Sequence, residues 1–254
     1  MQTLMGRTCV FAGATAGDGI AAAKALCAGG MHVVMVTHQA QRAAALVEEI
    51  RQMNLPGTCE AIGATPEGPA EESAAVYEAL EKKYGSVDVI ISNTGDTGSS
   101  KSMEELESTE LLEETSHLLG GAFRMMKAAL PYLRKSKAPR IIFMTSVEGV
   151  RGGVQGSFSN AVAKGAVHAL TLNAAARLAK EGICVNCIAK GAIPRAEGIR
   201  EGRSNPEVFL PHIPMGRLGS DVDLAQLLCF LASEESAYMT GQTIGLDGGL
   251  GIGL

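Results

Sequence analysis

Thr8-Cys-Val-Phe-Ala12 runs directly into Gly13-Ala-Thr-Ala-Gly17-Asp18-Gly19-Ile20, and this junction decides the fold. A short β-type run ends in three glycines, and apolar spacings of three and four then predict a helix over 20–28. Glycines at a strand-to-helix turn permit the tight bend and let the helix pack closely on the strand. They also let backbone N–H groups approach a pyrophosphate at the positive end of the helix. The candidate contacts are Gly13, Thr15, Gly17, Asp18, Gly19 and Ile20. The spacing is Gly-x-x-x-Gly-x-Gly, with the wide gap first.

Outward from this unit, short apolar runs alternate with longer helical patterns. Strands are predicted over 8–12, 32–37, 59–63, 87–92, 140–145, 183–189 and 242–246, and helices over 20–28, 41–53, 70–84, 104–135, 158–180 and 221–232. Repeated strand–helix alternation predicts a seven-stranded, doubly wound parallel sheet with helices on both faces, an α/β fold of Rossmann type. No linker or low-complexity tract divides residues 1–254, so a single domain is expected. Gly29-Gly30, Pro56-Gly57, Gly85 and Gly182 are expected to close helices in the left-handed conformation.

A net charge of −5 without any basic run argues against nucleic acid as a partner. No apolar run approaches the ~20 residues needed to span a bilayer. The first residues lack a signal-peptide pattern, so a cytoplasmic chain with reduced thiols is expected. Cys184 and Cys187 stand three apart on a predicted strand, where side chains diverge to opposite faces. Neither they nor any other group is expected to hold a metal.

Four further motifs, in order, carry a resemblance. Ser92-Asn93-Thr-Gly95 follows the fourth strand, Ile141 to Ser146 forms the fifth, Asn160-Ala-Val-Ala-Lys164 opens a helix, and Asp247-Gly-Gly249 lies near the end. With the glycine loop they resemble the short-chain dehydrogenase/reductase family along the whole chain. The resemblance implies NAD(P) as cofactor, with Thr37, His38, Asn93, Gly95, Lys164 and Ile193 joining the glycine-loop contacts. It assigns Ser146, Lys164 and position 160 to catalysis, and places a substrate lid at about 190–217.

The chain departs from that family at several of these positions. The family's tyrosine, a phenol of pKa ~10 made usable by the neighbouring lysine, is replaced by Asn160, which cannot titrate. Tyr77, Tyr84, Tyr132 and Tyr238 lie in segments away from this site. The family's helix asparagine becomes Leu118, beside His117. The stretch from Ser146 to position 160 is one residue longer than expected. Pro-Gly after the sixth strand becomes Lys190-Gly191, the following proline becomes Ala192, and an acidic position after the third strand becomes Gly63.

Asp18 reads either as a first-turn carboxylate favoured by the helix dipole or as a rival of the pyrophosphate. Two like charges ~5 Å apart at an effective dielectric near 20 repel by roughly 3 kcal/mol, so Asp18 weakens dinucleotide binding unless it turns outward. Val36-Thr37-His38-Gln39 offers no acid for a ribose diol. His38 or Arg42 facing a 2′-phosphate gives a slight lean to NADP, and Thr37 as a helix cap with a solvated His38 is the alternative. His168 is expected to pack against another helix, and Glu148 to be solvated in a glycine-rich loop, 148–153. Lys190, Arg195, Arg200, Arg203 and Arg217 suit either an anionic substrate such as an acyl-CoA or a solvated charged loop.

Three functions remain open from the sequence. The first is a non-catalytic subunit that joins itself or active relatives through helices 104–135 and 158–180. Unequal pairs within the family are similar in this respect, including the heteromeric type that oxidises hydroxyacyl-CoA intermediates of anaerobic benzylsuccinate degradation. The others are an atypical NAD(P)H-dependent carbonyl or enoyl reductase and a dinucleotide sensor. Losses scattered over both the cofactor and the catalytic positions favour the first.

Overall fold

In a computed structural model of the chain, residues 4–15, 17–64, 70–93, 95, 98–99, 101–153, 157–194 and 205–252 are described. Seven strands form one sheet: β1 (Thr8–Ala12), β2 (His32–Thr37), β3 (Thr58–Gly63), β4 (Val89–Ser92), β5 (Arg140–Ser146), β6 (Cys184–Lys190) and β7 (Thr243–Leu246). Every pairing is parallel, in the order β3-β2-β1-β4-β5-β6-β7. The helices are α1 (Asp18–Ala28), α2 (Ala40–Gln52), α3 (Ala70–Tyr84), α4 (Ser108–Leu133), α5 (Val147–Arg151), α6 (Phe158–Leu178) and α7 (Asp221–Ala232). This is the doubly wound Rossmann arrangement. Strand order reverses between β1 and β4, which opens a crevice above their carboxyl ends.

Alternation along the strands builds two cores. Cys9, Phe11, Val33, Met35, Val89 and Ile91 face one side, packed by α1, α2 and α7. Val10, Val34, Ile90, Ile141 and Phe143 face the other, packed by α3, α4 and α6. Strands buried on both faces read as continuous apolar runs for this reason. Cys187 joins the second core, whereas the Cys184 thiol donates to the Ala237 carbonyl at 3.5 Å, so the two thiols diverge. All six cysteines are free, and among the described residues no helix is long and apolar enough to cross a membrane.

Several expectations need correction. α4 starts at Ser108 rather than 104, because the Glu110 carboxylate accepts the Glu107 N–H at 3.1 Å and fixes the first turn there. Gly57 is not a left-handed cap. After α2 that conformation falls on Asn54 (φ 50°), while a Cβ on Gly57 would stand 2.2 Å from the Met31 carbonyl oxygen. The glycine-rich stretch after Ser146 is not a loop throughout: α5 forms because the Ser146 hydroxyl caps it, accepting the Gly149 N–H at 3.0 Å.

Candidate functional site

The glycine loop has structural reasons of its own. Gly13 (φ 82°) and Gly17 (φ 54°) take left-handed backbone, and a Cβ on Gly19 would sit 2.2 Å from the Gly13 carbonyl oxygen. That contact is backbone on backbone, so α1 packs this closely against the loop only with glycine at 19. Thr15 is buried, its hydroxyl 3.4 Å from that of Thr37. Ile20 turns toward the core formed with α1 and α2.

Asp18 is a first-turn carboxylate of α1, as one of the two readings has it. It neither rests in solvent nor turns outward: it is 1% exposed, pointing inward from the first turn of α1. Its Oδ2 accepts from the Lys190 ammonium at 2.8 Å and its Oδ1 from Asn93 Nδ2 at 3.0 Å. Lys190 Nζ also donates to Asn93 Oδ1 at 3.0 Å. The three side chains, from α1, the end of β4 and β6, close one charged ring. Its members are 172 residues apart at the widest, which is why the sequence does not announce it.

A second polar cluster surrounds position 160. Ser157 caps α6, accepting the Asn160 N–H, and so aims the Asn160 side chain toward α4. There Glu114, 9% exposed, accepts from Asn160 Nδ2 at 3.1 Å and from the Ser159 hydroxyl in a short contact. Since a carboxylate can only accept here, the amide must turn its nitrogen to Glu114. Glu114 stands one helical turn before Leu118 and shares its face. Leu118 is buried against Gly95 (φ 84°), where a Cβ would lie 1.9 Å from Leu118 Cδ2. Glu114 was not foreseen, although its i, i+4 relation to Leu118 was a usable signal.

Ser146, Asn160, Lys164 and Ile193 do meet, around a small cleft that Asp18 and Lys190 also line. The cleft encloses about 90 Å³. Pockets that bury an organic ligand usually run to ~300–1,000 Å³. Lys164 is buried, and its ammonium lies 3.4 Å from the Met144 carbonyl. The Thr145 hydroxyl donates to the Lys164 carbonyl at 2.7 Å and anchors α6 to β5. The Asp247 carboxylate accepts the N–H groups of Gly249 (3.0 Å) and Gly251 (2.7 Å), folding the closing segment back over α5.

The remaining candidates stay outside this cleft. His38 is exposed at the end of β2, and Thr37 does not cap α2: its hydroxyl accepts the Gln39 N–H at 3.0 Å in a local turn. His168 packs toward β7 rather than a helix, its Nδ1 2.8 Å from the Thr243 hydroxyl. Of the basic lid, Lys190 is bound to Asp18, and Arg217 holds Asp223 at 3.0 Å. Arg195, Arg200 and Arg203 lie outside the described residues. No cluster of His, Cys, Asp or Glu suited to a metal occurs among the described residues.

Comparison with known proteins agrees with this architecture. The family described as Enoyl-(Acyl carrier protein) reductase matches residues 13–251. The 3-oxoacyl-(acyl-carrier-protein) reductase of Thermotoga maritima is 33% identical over 255 residues, covering 98% of this chain and 99% of the relative. The Staphylococcus aureus enzyme of that name is 32% identical over 249 residues, covering 97% and 98%. Among solved structures, the Pseudomonas aeruginosa RhlG/NADP active-site complex superimposes with TM-score 0.87 at 26% identity, covering 99% of each chain. The L-sorbose reductase of Gluconobacter frateurii, complexed with NADPH and L-sorbose, gives TM-score 0.88 at 24% identity over the full length of both, a likeness of fold. The chain belongs to the short-chain dehydrogenase/reductase family of oxidoreductases and has that family's NAD(P)-binding Rossmann fold.

Proposed function

We propose that this chain is a non-catalytic subunit of a short-chain dehydrogenase/reductase complex, acting on an acyl thioester through a catalytic partner of the same family. One observation carries the reading. The position of the family's proton-transferring tyrosine holds Asn160, whose amide is committed to the buried Glu114 carboxylate. An amide cannot exchange a proton with a substrate oxygen near neutral pH, and this one is already tied down. Ser146 and Lys164 are kept, but the Ser146 hydroxyl oxygen serves as the cap of α5. The acyl-thioester class comes from the relatives, which are named as acyl-carrier-protein reductases.

The helices suggested for association support the reading. Leu112 and Phe123 of α4 are exposed and lie within ~20° of each other around the helix. Phe158, Val162 and Leu172 of α6 are exposed within a sector of ~80°. α4 and α6 pack side by side. Exposed apolar stripes of this kind favour burial against another subunit.

The test is turnover by the purified chain alone, with NADH or NADPH, on 3-oxoacyl, 3-hydroxyacyl and enoyl thioesters. No activity above that of a Lys164→Met control is expected. Turnover abolished by that substitution would overturn the proposal and make the chain an atypical reductase.

A further inference from the structure

We propose that Asp18 and Lys190 form a built-in strut across the dinucleotide crevice, and that this strut keeps the chain free of NAD(P). The inference deepens the non-catalytic reading and rests on it for its meaning, but it concerns a different set of residues.

Topology supplies the first argument. In an open α/β sheet, ligands enter the crevice outside the carboxyl ends of the strands where strand order reverses, here between β1 and β4. Lys190 ends β6, two positions from β4, so its backbone stands roughly 9.5 Å away at ~4.8 Å per strand. Its ammonium nevertheless touches Asn93 just past the end of β4 and Asp18 at the start of α1. The side chain therefore crosses above the end of β5 and spans the mouth of the crevice.

Charge supplies the second. The N-terminus of a helix after a glycine loop attracts an anion through its free N–H groups and dipole. Here the chain's own carboxylate already sits in that first turn and is neutralised by Lys190. The strongest electrostatic reason for a pyrophosphate to bind is thus satisfied internally. A ligand phosphate would meet a buried carboxylate while competing with it for the same ammonium.

Space supplies the third. The cleft between the strut and Asn160 holds about 90 Å³. That is below the ~300–1,000 Å³ usual for a pocket that buries an organic ligand. The residues present do not fit a dinucleotide while the strut is closed. Lys190 is also a position at which the chain departs from the family's pattern, and its ammonium is held by Asp18.

The test is a calorimetric titration with NADH and NADPH of the full chain and of a variant lacking both charges, Asp18→Ala with Lys190→Ala. Removing both together leaves no unpaired buried charge. For the unaltered chain, a Kd weaker than about 1 mM is expected, and for the double variant a gain of at least about tenfold. Micromolar binding by the unaltered chain overturns the strut. So does a folded double variant that gains nothing. If the alanine pair does not fold, as judged by its circular dichroism and melting, Asp18→Asn with Lys190→Met is read in its place by the same criteria. Thioester turnover is measured on the same samples, so the two proposals can fail separately. A strut that proves wrong in a chain without turnover leaves the non-catalytic reading standing.

Discussion

Glu114→Ala tests whether the carboxylate at the old tyrosine site is structural. Glu114 is 9% exposed and accepts two hydrogen bonds, from Asn160 Nδ2 and the Ser159 hydroxyl. A hydrogen bond to a charged group contributes ~1.5–3 kcal/mol, and a buried donor left without its partner costs ~1–3 kcal/mol. Asn160 is only half-buried and can recover water, whereas Ser159 is 1% exposed and cannot. The expected loss is therefore about 3 kcal/mol, measured as a shift in the urea midpoint at unchanged slope. In melting temperature this is about 6–12 °C for a chain of this length. Glu114→Gln keeps one acceptor, and the Asn160 amide can rotate to meet the new N–H groups, so about 1 kcal/mol is expected. A double-mutant cycle with Asn160→Ala isolates the pair and should return a coupling of at least about 1 kcal/mol. If Glu114→Ala costs under about 0.5 kcal/mol, or the coupling vanishes, Asn160 is not committed to Glu114, and only its inability to titrate is left to argue against proton transfer.

Other outcomes follow from the same geometry. Lys190→Met alone leaves Asp18 buried without its cation and should cost about 3–5 kcal/mol in denaturant unfolding. Adding Asp18→Asn should restore most of that, and additive losses would refute the pairing. Gly19→Ala drives a Cβ onto the Gly13 carbonyl oxygen, so it should lower stability by about 1–3 kcal/mol without any ligand present. A neutral result in a melting scan would mean that the loop relaxes freely. Burial pushes the Cys187 thiol up to about 12 and the Cys229 thiol up to about 11, and it raises Cys9 as well. At pH 8 a thiol reagent should therefore modify half-buried Cys59 first and the buried thiols only on unfolding. Rapid modification of all six in the native chain would contradict the packing.

Much of the architecture could be read from local pattern. The strand–glycine–helix junction at 8–20 and the period of the apolar runs fix an α/β alternation. The two-residue period also explains why Cys184 and Cys187 diverge. Local pattern fails where a contact is made far along the chain. Nothing near Asp18 points to Lys190, and although the i, i+4 relation to Leu118 turns Glu114 rather than Glu113 inward, nothing near it points to Asn160. The helix after Ser146 was hidden because Gly149, Gly152 and Gly153 lower helix propensity, and only the Ser146 cap and its packing on α6 stabilise so short a turn. His168 reaches β7 because α6 packs on β5 and β6, the latter paired with β7, a fact of topology rather than of helical period.

A carboxylate buried in the first turn of α1 without a cation is costly. Here the carboxylate at 18 meets the ammonium at 190, and the amide at 160 meets the buried acid at 114. Both pairs are satisfied within the chain. They couple α1 to β4 and β6 in one case, and α4 to α6 in the other. The second coupling fixes the relative placement of the two helices that carry exposed apolar stripes. The stability cycles at 18/190 and at 114/160 test this coupling, because it requires each double variant to lose less than the sum of its single variants.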